Sequence, residues 1–342
     1  MTSTALSVSQ NPFVEAFRRQ RLGPYLFVLA LGLGVFFVFG PEQFVNAMTK
    51  GAIYALIALG YTMVYGIIEL INFAHGDVYM VGAFVSLFVL TNVLGQQGPA
   101  ADPLVMLGII GIDILVTGAV MGIIGVTIER FAYRPLRNAP RLAPLITAIG
   151  VSFILQNIIQ IIYGPSPVNT PQIIPPTARV QIGDVSIGWI NIFIISVSIA
   201  LMIGLQAFVG RTKIGRAMRA TAQDREAAQL MGVNINRTIA VTFFIGSALA
   251  GVAGVVQGLY LGNISFTLGF QAGLKAFTAA VLGGIGNIAG AALGGFVIGF
   301  VEVSAAASGL AVWSQAAVFA VLIITLVFRP SGLLGQQLGE RA

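Results

Sequence analysis

Apolar stretches about as long as a lipid bilayer is thick recur along this 342-residue chain. Several of them exceed the ~18 residues that indicate a transmembrane helix. Two soluble domains, which the length alone would suggest, could not bury all of these stretches. Only 9% of the residues are charged, against about 25% in soluble proteins, and the mean hydropathy is +0.92. The sequence therefore predicts an all-α, polytopic membrane helical bundle.

The basic residues indicate how this bundle is oriented. They cluster at 18–21, 130–141, 211–237 and 329–341, and the positive-inside rule places such clusters in the cytoplasm. About ten membrane-embedded helices satisfy this rule and leave both termini cytoplasmic. The predicted helices are 24–41, 44–67, 76–95, 104–129, 142–163, 189–209, 238–261, 270–285, 289–304 and 312–328.

Two of the predicted helices, 270–285 and 289–304, are short for a crossing that needs about 20 apolar residues. They are interpreted either as two tilted helices or as a re-entrant hairpin, which would leave eight crossings. The predicted domains are a cytoplasmic N-terminal extension (1–23), a transmembrane domain (24–335) with a long cytoplasmic loop (210–236), and a cytoplasmic tail (336–342).

The rarest residue types exclude several classes of protein. The chain has no Cys and one His, which excludes disulfides, thiolate metal sites and a poly-His metal cluster. No GxxxxGK[ST] loop occurs, so we predict no ATPase site, no other bound cofactor or metal, and no enzyme activity. Nucleic-acid binding is not expected either, because the basic residues do not form a face on a folded domain.

The densest polar segment lies between the second and third predicted helices. It holds Glu69, Asn72, His75 and Asp77, including the only histidine. Because ionised groups are costly at the centre of a bilayer, the segment is interpreted as lining a translocation pathway or its inner gate. The alternative is a polar turn in which Asn72 and Asp77 cap helix ends.

Two further acidic residues, Asp113 and Glu302, lie deeper within predicted helices. An acid inside the membrane normally faces the bundle interior or water and marks a pathway. Both residues are therefore pathway candidates, and Lys275 is a candidate partner for one of them. The alternatives are a structural ion pair and a protonated carboxyl group.

The long loop contains a short amphipathic helix. Asp224 is typical of an N-cap and Gly232 of a C-terminal stop, which predicts a helix over 225–231. A helix of this length is unstable alone in water, so its apolar stripe is predicted to dock into a groove on a soluble partner. The alternative is a basic loop that lies against anionic lipid. The predicted docking residues are Asp224, Arg225, Glu226, Ala227, Ala228, Leu230, Met231 and Gly232, of which the apolar ones are expected to be exposed.

Small residues repeat at intervals of four in the seventh predicted helix and at its end. This ladder places small side chains in one row, which favours close packing against a neighbouring helix backbone. A glycine-hinged moving helix is the alternative. The ladder consists of Gly246, Ala250, Gly254, Gly258 and Gly262.

Five separate segments carry a resemblance to a known family. Residues 226–232 (EAAQLMG) resemble the EAA–xxx–G loop by which ABC importer permeases dock onto their ATPase. The other segments look like the LivH-type branched-chain amino acid ABC transporter permease family. They are 51–60 (GAIYALIALG), 72–77 (NFAHGD), 216–220 (RAMRA) and 328–335 (FRPSGLLG).

This resemblance implies that 24–335 is the permease domain of a binding-protein-dependent, ATP-driven importer of leucine, isoleucine and valine. It implies several partners in the inner membrane of a prokaryote: ABC ATPase subunits that bind ATP and dock on residues 224–232, a second permease (LivM-like, or the chain itself as a dimer), an extracytoplasmic substrate-binding protein and membrane lipid. The alternatives are a permease for urea or another neutral amino acid, and an ion-coupled secondary transporter.

Overall fold

The computed structural model describes residues 22–68, 72–100, 102–137, 139–140, 142–183 and 185–335. The predicted tail, nearly all of the predicted N-terminal extension, and Glu69 lie outside these described residues. Within them the fold is a bundle of helices with two small antiparallel sheets. The helices are α1 (Gly23–Phe39), α2 (Pro41–Ile68), α3 (His75–Phe88), α4 (Pro103–Ile128), α5 (Leu142–Tyr163), α6 (Trp189–Arg211), α7 (Lys213–Gln223), α8 (Arg225–Leu230), α9 (Ile235–Leu261), α10 (Leu268–Gly283), α11 (Ile288–Ala307) and α12 (Ser314–Phe328).

The prediction of an all-α membrane bundle is confirmed. Eight helices of the described chain are long and apolar enough to cross a membrane. Two of these spans continue the α-helix through a π-helical turn, at Val89–Val93 after α3 and at Glu129–Tyr133 after α4. Helices α1 and α10 have 17 and 16 residues and are shorter than the eight candidate spans.

The suspected hairpin consists of α10 and α11, which pack side by side. Asn287 forms the turn between them: its side chain caps α11 by accepting a hydrogen bond from Gly290 N (3.0 Å) and donates another to Leu334 O (2.8 Å). Helix α11 has 20 residues and qualifies as a span, so only α10 is short.

The bundle has a buried centre and an apolar periphery. Helix α2 lies at the centre against α9, α10 and α11, and 83% of its most apolar window is buried. In α5 and in Ala311–Phe328, only 17% and 6% of the most apolar window is buried. The exposed side chains of these outer helices are large and apolar, as expected of a surface that faces lipid rather than water.

Loop contacts define the two ends of the bundle. At one end, β1 (Val168–Asn169) pairs with β4 (Asn263–Ile264), so the α5–α6 loop meets the α9–α10 connection. That loop also contains the hairpin of β2 (Arg179–Ile182) and β3 (Val185–Gly188). At the other end, the backbone N–H of Leu334 donates to Gly283 O (2.9 Å). We refer to these as the β1–β4 end and the opposite end.

The small-residue ladder in α9 makes backbone contacts with α2 and α3. A Cβ added to Gly254 would lie 2.5 Å from Ala83 N and Tyr79 O, and one added to Gly246 would lie 3.3 Å from Gly60 O. Ala250 is fully buried, and Gly258 O accepts a hydrogen bond from the Thr170 hydroxyl (2.7 Å). The first four ladder positions therefore lie on an inner face of α9.

Gly262 departs from the ladder. Its φ of +71° is left-handed, so it ends α9 instead of continuing the packed row. The spacing suggested a fifth packing position because a period of four does not reveal where the helix stops. A left-handed C-terminal residue is the ordinary place for glycine.

We expect Gly254→Ala to lower the free energy of unfolding by about 1–3 kcal/mol, because the new methyl group meets backbone atoms that cannot rotate away. The measurement is the melting temperature of the detergent-solubilised protein. Gly204→Ala in α6 is the matched control, since a Cβ there meets no atom within 4 Å. Equal melting temperatures for the two variants would contradict the close packing of α9 on α3.

Candidate functional site

The short helix α8 is stabilised at both ends by the residues that its sequence suggests. Asp224 is the N-cap, and its side chain accepts a hydrogen bond from Ala227 N (3.0 Å). Gly232 follows the helix with a left-handed φ of +83°, and its N–H donates to Gln229 O (3.0 Å). Because the caps satisfy otherwise unpaired backbone groups, they hold a single turn in place.

The apolar residues of α8 do not all point the same way. Leu230 and Met231 are 89% and 85% exposed, and Ala227 is also exposed. Ala228, in contrast, is buried, so the expectation that it is exposed is wrong. It follows Arg225 by three residues and shares that residue's inward face. The accessible apolar surface at α8 therefore centres on Leu230 and Met231, with Ala228 beneath it.

Helix α8 is attached directly to the central helix α2. The Arg225 guanidinium donates a hydrogen bond from Nη2 to Ile67 O (3.2 Å), in the last turn of α2. Helix α7 precedes α8 and buries Met218 and Thr221 against the bundle. This arrangement fixes α8 at the opposite end from β1 and β4.

A buried ion cluster lies close to α8. Glu129 is fully buried and accepts two hydrogen bonds from Arg134, Nε to Oε1 (3.2 Å) and Nη2 to Oε2 (2.7 Å). It also pairs with Arg137, which donates to Asn236 Oδ1 (2.5 Å). Burial lowers the pKa of the Arg137 guanidinium from its usual value, and the Glu129 carboxylate opposes that shift. The cluster therefore joins the end of α4 to the start of α9.

Sequence reasoning missed this cluster, although Glu129 is surrounded by arginines. In an ordinary α-helix, side chains form ion pairs with residues three or four positions away, whereas Arg134 follows Glu129 by five positions. The π-helical turn Glu129–Tyr133 adds one residue to the turn, so positions five apart meet on one face. A cavity of about 610 Å³ lies between the cluster and α8, and its wall includes Arg225 and Glu226.

The polar segment after α2 contains one side chain that caps and one that does not. Asn72 Oδ1 accepts from Ala74 N (3.1 Å) and from the Tyr133 hydroxyl (2.6 Å), as expected of a polar turn. Asp77 instead accepts from Ser152 and from Gln156 Nε2 (3.0 Å) on α5. The interpretation of Asp77 as a cap is therefore wrong, because its carboxylate joins α3 to α5.

His75 lies at the start of α3 and is buried against α2. Its ring meets Tyr61 edge-on at a centroid distance of 4.8 Å, and it occupies the space that a side chain at Gly60 would need. The Ile57 backbone lies nearby, but neither ring nitrogen makes a hydrogen bond of normal geometry within the described residues. The surroundings of His75 are those of a packed core side chain.

Asp113 lies in the middle of α4 and is completely buried. Its carboxylate accepts hydrogen bonds from Ser86 Oγ (2.6 Å) and from Thr117 Oγ1 (3.0 Å). No cation pairs with it among the described residues. Asp113 therefore links α3 to α4 through hydroxyl groups.

Glu302 is held by two cations, of which the sequence suggested Lys275. The Lys275 ammonium lies 3.0 Å from Oε2, and the Lys50 ammonium lies 3.0 Å from Oε1. The Tyr54 hydroxyl donates to Oε2 at 2.8 Å. The cluster joins α2, α10 and α11 in the halves of these helices that lie toward the β1–β4 end, and it borders a cavity of about 200 Å³.

Comparison with known proteins identifies the family. The family model described as branched-chain amino acid transport system / permease component matches residues 43–327, which include α8, the Glu129 cluster and Glu302. The chain belongs to this family. The resemblance that the sequence motifs suggested is thereby confirmed; the matched range begins within α2 and does not include α1.

Two known proteins are similar to this chain over nearly their whole length. The high-affinity branched-chain amino acid transport system permease protein BraD of Pseudomonas aeruginosa is 45% identical over 298 residues, which are 86% of this chain and 95% of BraD. The corresponding protein LivH of Escherichia coli is 42% identical over 303 residues, 88% of this chain and 97% of LivH. No solved structure matches the chain.

Family membership and the eight apolar helices together make the chain a multi-pass permease component of the bacterial inner membrane rather than an enzyme. Within this permease, most of the ion pairs and the exposed apolar residues at α8 fall into two separate groups, and the buried Asp77 and Asp113 belong to neither. Those of α8 and the Glu129 cluster lie at one end, and those around Glu302 lie toward the other. Helix α2 contacts both groups, through Ile67 and through Lys50.

Proposed function

We propose that this chain is a membrane-spanning subunit of an ATP-driven, binding-protein-dependent ABC importer for leucine, isoleucine and valine. It forms the translocation pathway and couples to separate ATPase subunits through α8 and its flanking residues 224–232. The observation that carries the proposal is the near full-length similarity to BraD and LivH, whose names state branched-chain amino acid transport.

The shape of α8 supports docking of a motor subunit. Leu230 and Met231 project from a capped and anchored turn at one end of the bundle, where they have little contact with the rest of the chain. A large apolar side chain that becomes buried gains about 1.5–3 kcal/mol, so this pair suits a groove on a soluble partner. The chain binds no ATP itself, and ATP belongs to the partner ATPases.

The other partners follow from the same assignment. An extracytoplasmic binding protein delivers the amino acid at the β1–β4 end, and a second permease completes the pathway. That second permease is LivM-like or a second copy of this chain. The lipid-facing surfaces of the outer helices α5 and α12 support placement in the inner membrane.

The test is uptake of labelled leucine into proteoliposomes that contain the chain, its second permease and its ATPases, with the binding protein outside. We expect uptake to need both ATP and the binding protein, and excess isoleucine or valine to compete. Urea as competitor tests the related urea importers. Omission of the ATPase subunits is the matched control and is expected to abolish uptake.

An ion-coupled secondary transporter is the rival mechanism, for which Asp113 is the candidate coupling group. Glu302 is less suited to this role because two ammonium groups already neutralise it. Leucine uptake driven by a proton or sodium gradient without ATPase subunits would replace the proposal with this mechanism. Competition by urea but not by valine would change only the substrate.

A further inference from the structure

We propose that the 200 Å³ cavity beside Glu302 is a binding site for the amino acid in transit, with Lys50 and Lys275 holding its carboxylate. This inference rests on the proposed function and adds a substrate site within the membrane part of the permease. Three observations support it: the charge of the cavity, an unpartnered hydroxyl group in its wall, and its mixed polar and aliphatic lining.

The cavity carries one positive charge more than its own residues neutralise. Two ammonium groups, those of Lys50 and Lys275, share the single carboxylate of Glu302. Each ammonium has three N–H donors. Lys50 donates one of them to Glu302, and Lys275 donates to Glu302 and, at 3.5 Å, to the Tyr54 hydroxyl. Free donors and an excess positive charge, with Lys275 largely buried and Lys50 partly exposed, favour an anionic ligand group.

The Tyr79 hydroxyl gives a second, independent indication. Tyr79 lines the cavity and is fully buried, yet its hydroxyl has no hydrogen-bond partner within the described part of the chain. Buried polar groups of native proteins nearly always have a partner. A ligand carboxylate in the cavity would supply an acceptor for this hydroxyl.

The remaining lining suits a small zwitterion with an aliphatic side chain. The faces of the tyrosine rings can accept the ligand ammonium group. Ile53 and Leu268 provide apolar walls. The volume is below the roughly 300–1,000 Å³ of pockets for drug-sized ligands, as expected for an amino acid.

The accessibility of the cavity agrees with a site on a pathway. The Lys50 side chain is 35% exposed, whereas the Lys275 and Glu302 side chains are 14% and 8% exposed. A ligand entering from the β1–β4 end would therefore meet Lys50 first and then the more deeply buried pair. The outer binding protein of the proposed importer would release its substrate at this end.

A single engineered thiol can test the site, because the chain contains no cysteine of its own. Gln271→Cys places a thiol at an exposed position in the cavity wall. The variant is purified with its co-expressed partner subunits in phosphatidylcholine nanodiscs, and mass spectrometry follows its reaction with a small thiol reagent. We expect leucine at ten times its dissociation constant to slow labelling about tenfold. Leucinamide, which lacks the carboxylate, should not slow it.

Tyr79→Phe in the same background separates a ligand contact from a structural role. The change removes only a hydroxyl that has no partner in the described chain, so the fold has no hydrogen bond to lose. If the hydroxyl binds the ligand carboxylate, the variant should need roughly tenfold more leucine for equal protection. A Tyr79→Phe variant with unchanged leucine protection would count against the site as described.

Val312→Cys is the matched control, since Val312 is 93% exposed and does not line the cavity. Its labelling should be independent of leucine. Equal slowing at both thiols, equal protection by leucinamide, or a thiol at position 271 that never reacts would each overturn the proposal. Protection that appears only in nanodiscs of anionic phosphatidylglycerol would assign the cavity to a lipid headgroup and would also overturn it.

Failure of this inference can be distinguished from failure of the proposed function. ATP-driven leucine uptake together with unprotected labelling leaves the importer intact and removes the cavity site. Absence of ATP-driven uptake by the unmodified complex removes the importer assignment. Leucine protection in that case would show a ligand site in a protein with a different transport mechanism.

Discussion

Leu230→Asp and Met231→Asp are each expected to weaken the association of the permease with its ATPase subunits by about 30-fold. The few hot-spot residues at the centre of an interface contribute about 2 kcal/mol or more, and each 1.4 kcal/mol is a factor of about ten in affinity; we expect Leu230 and Met231 to be such residues. Both side chains are more than four-fifths exposed, at 89% and 85%, so neither change should disturb the bundle itself. The measurements are co-purification of the ATPase and ATP-driven leucine uptake.

The controls for this prediction separate docking from general effects of an added charge. Val312→Asp introduces the same acid at a residue that is 93% exposed, in the short connection between α11 and α12. Met231→Leu conserves volume and apolar character and should retain the ATPase. If the Asp variants of α8 bind ATPase as well as the unmodified protein does, α8 is not the docking element. Such a result would favour contact with anionic lipid.

Ala228 is not a suitable position for this test. It is 5% exposed and lies under α8. A large acid there would disrupt the packing of α8 on the bundle, and loss of uptake would have two explanations. The exposed pair avoids this ambiguity because it has little packing to lose.

Glu129→Gln is expected to destabilise the permease strongly and to reduce the yield of folded protein. The change keeps the side-chain volume but leaves the guanidinium groups of Arg134 and Arg137 without their counter-ion. Removal of one partner from a buried ion pair typically costs about 3–5 kcal/mol. Because the Arg134 side chain is 34% exposed, water screens part of its charge, and we expect the lower half of that range. The melting temperature in detergent measures the effect.

A double-mutant cycle tests whether the loss comes from this ion cluster. Arg137→Gln combined with Glu129→Gln should cost less than the two single changes added together, because the second change removes a cation that the first left unpaired. Glu42→Gln is the matched control, since Glu42 is an exposed carboxylate in the first turn of α2. Melting temperatures of Glu129→Gln and Glu42→Gln that agree within error would contradict the structural role of the cluster.

The helices could be predicted closely because the length and apolar character of a membrane helix are properties of one segment. Helix α5 has the predicted bounds, residues 142–163. Helix α9 begins at Ile235, three residues before the prediction, because Asn234 caps it by accepting from Arg237 N (3.0 Å). Hydropathy predicted that α9 starts after the charged Arg237, whereas the hydrogen bond from Arg237 N to the Asn234 side chain sets the start before it.

The site was harder to predict because its contacts join distant segments. Lys50 and Tyr54 meet Glu302 across 252 and 248 positions of sequence, and no local pattern indicates this. The charge of Lys275 and its place in an apolar helix were enough to suggest a partner for one of the buried acids. The burial of Ala228 also depends on tertiary packing, since a single turn does not reveal which face the bundle will cover.

The hydrogen bond between Arg225 and Ile67 O has a mechanical consequence. Ile67 and Lys50 belong to one uninterrupted helix, α2, and a rise of 1.5 Å per residue separates them by about 25 Å. An ATPase that tilts α8 would move the Ile67 end of α2, and a rigid α2 would transmit this movement to Lys50, whose ammonium group lines the Glu302 cavity. A small displacement of α8 would in this way weaken substrate binding in the Glu302 cavity through α2 alone, without any other element between the two sites.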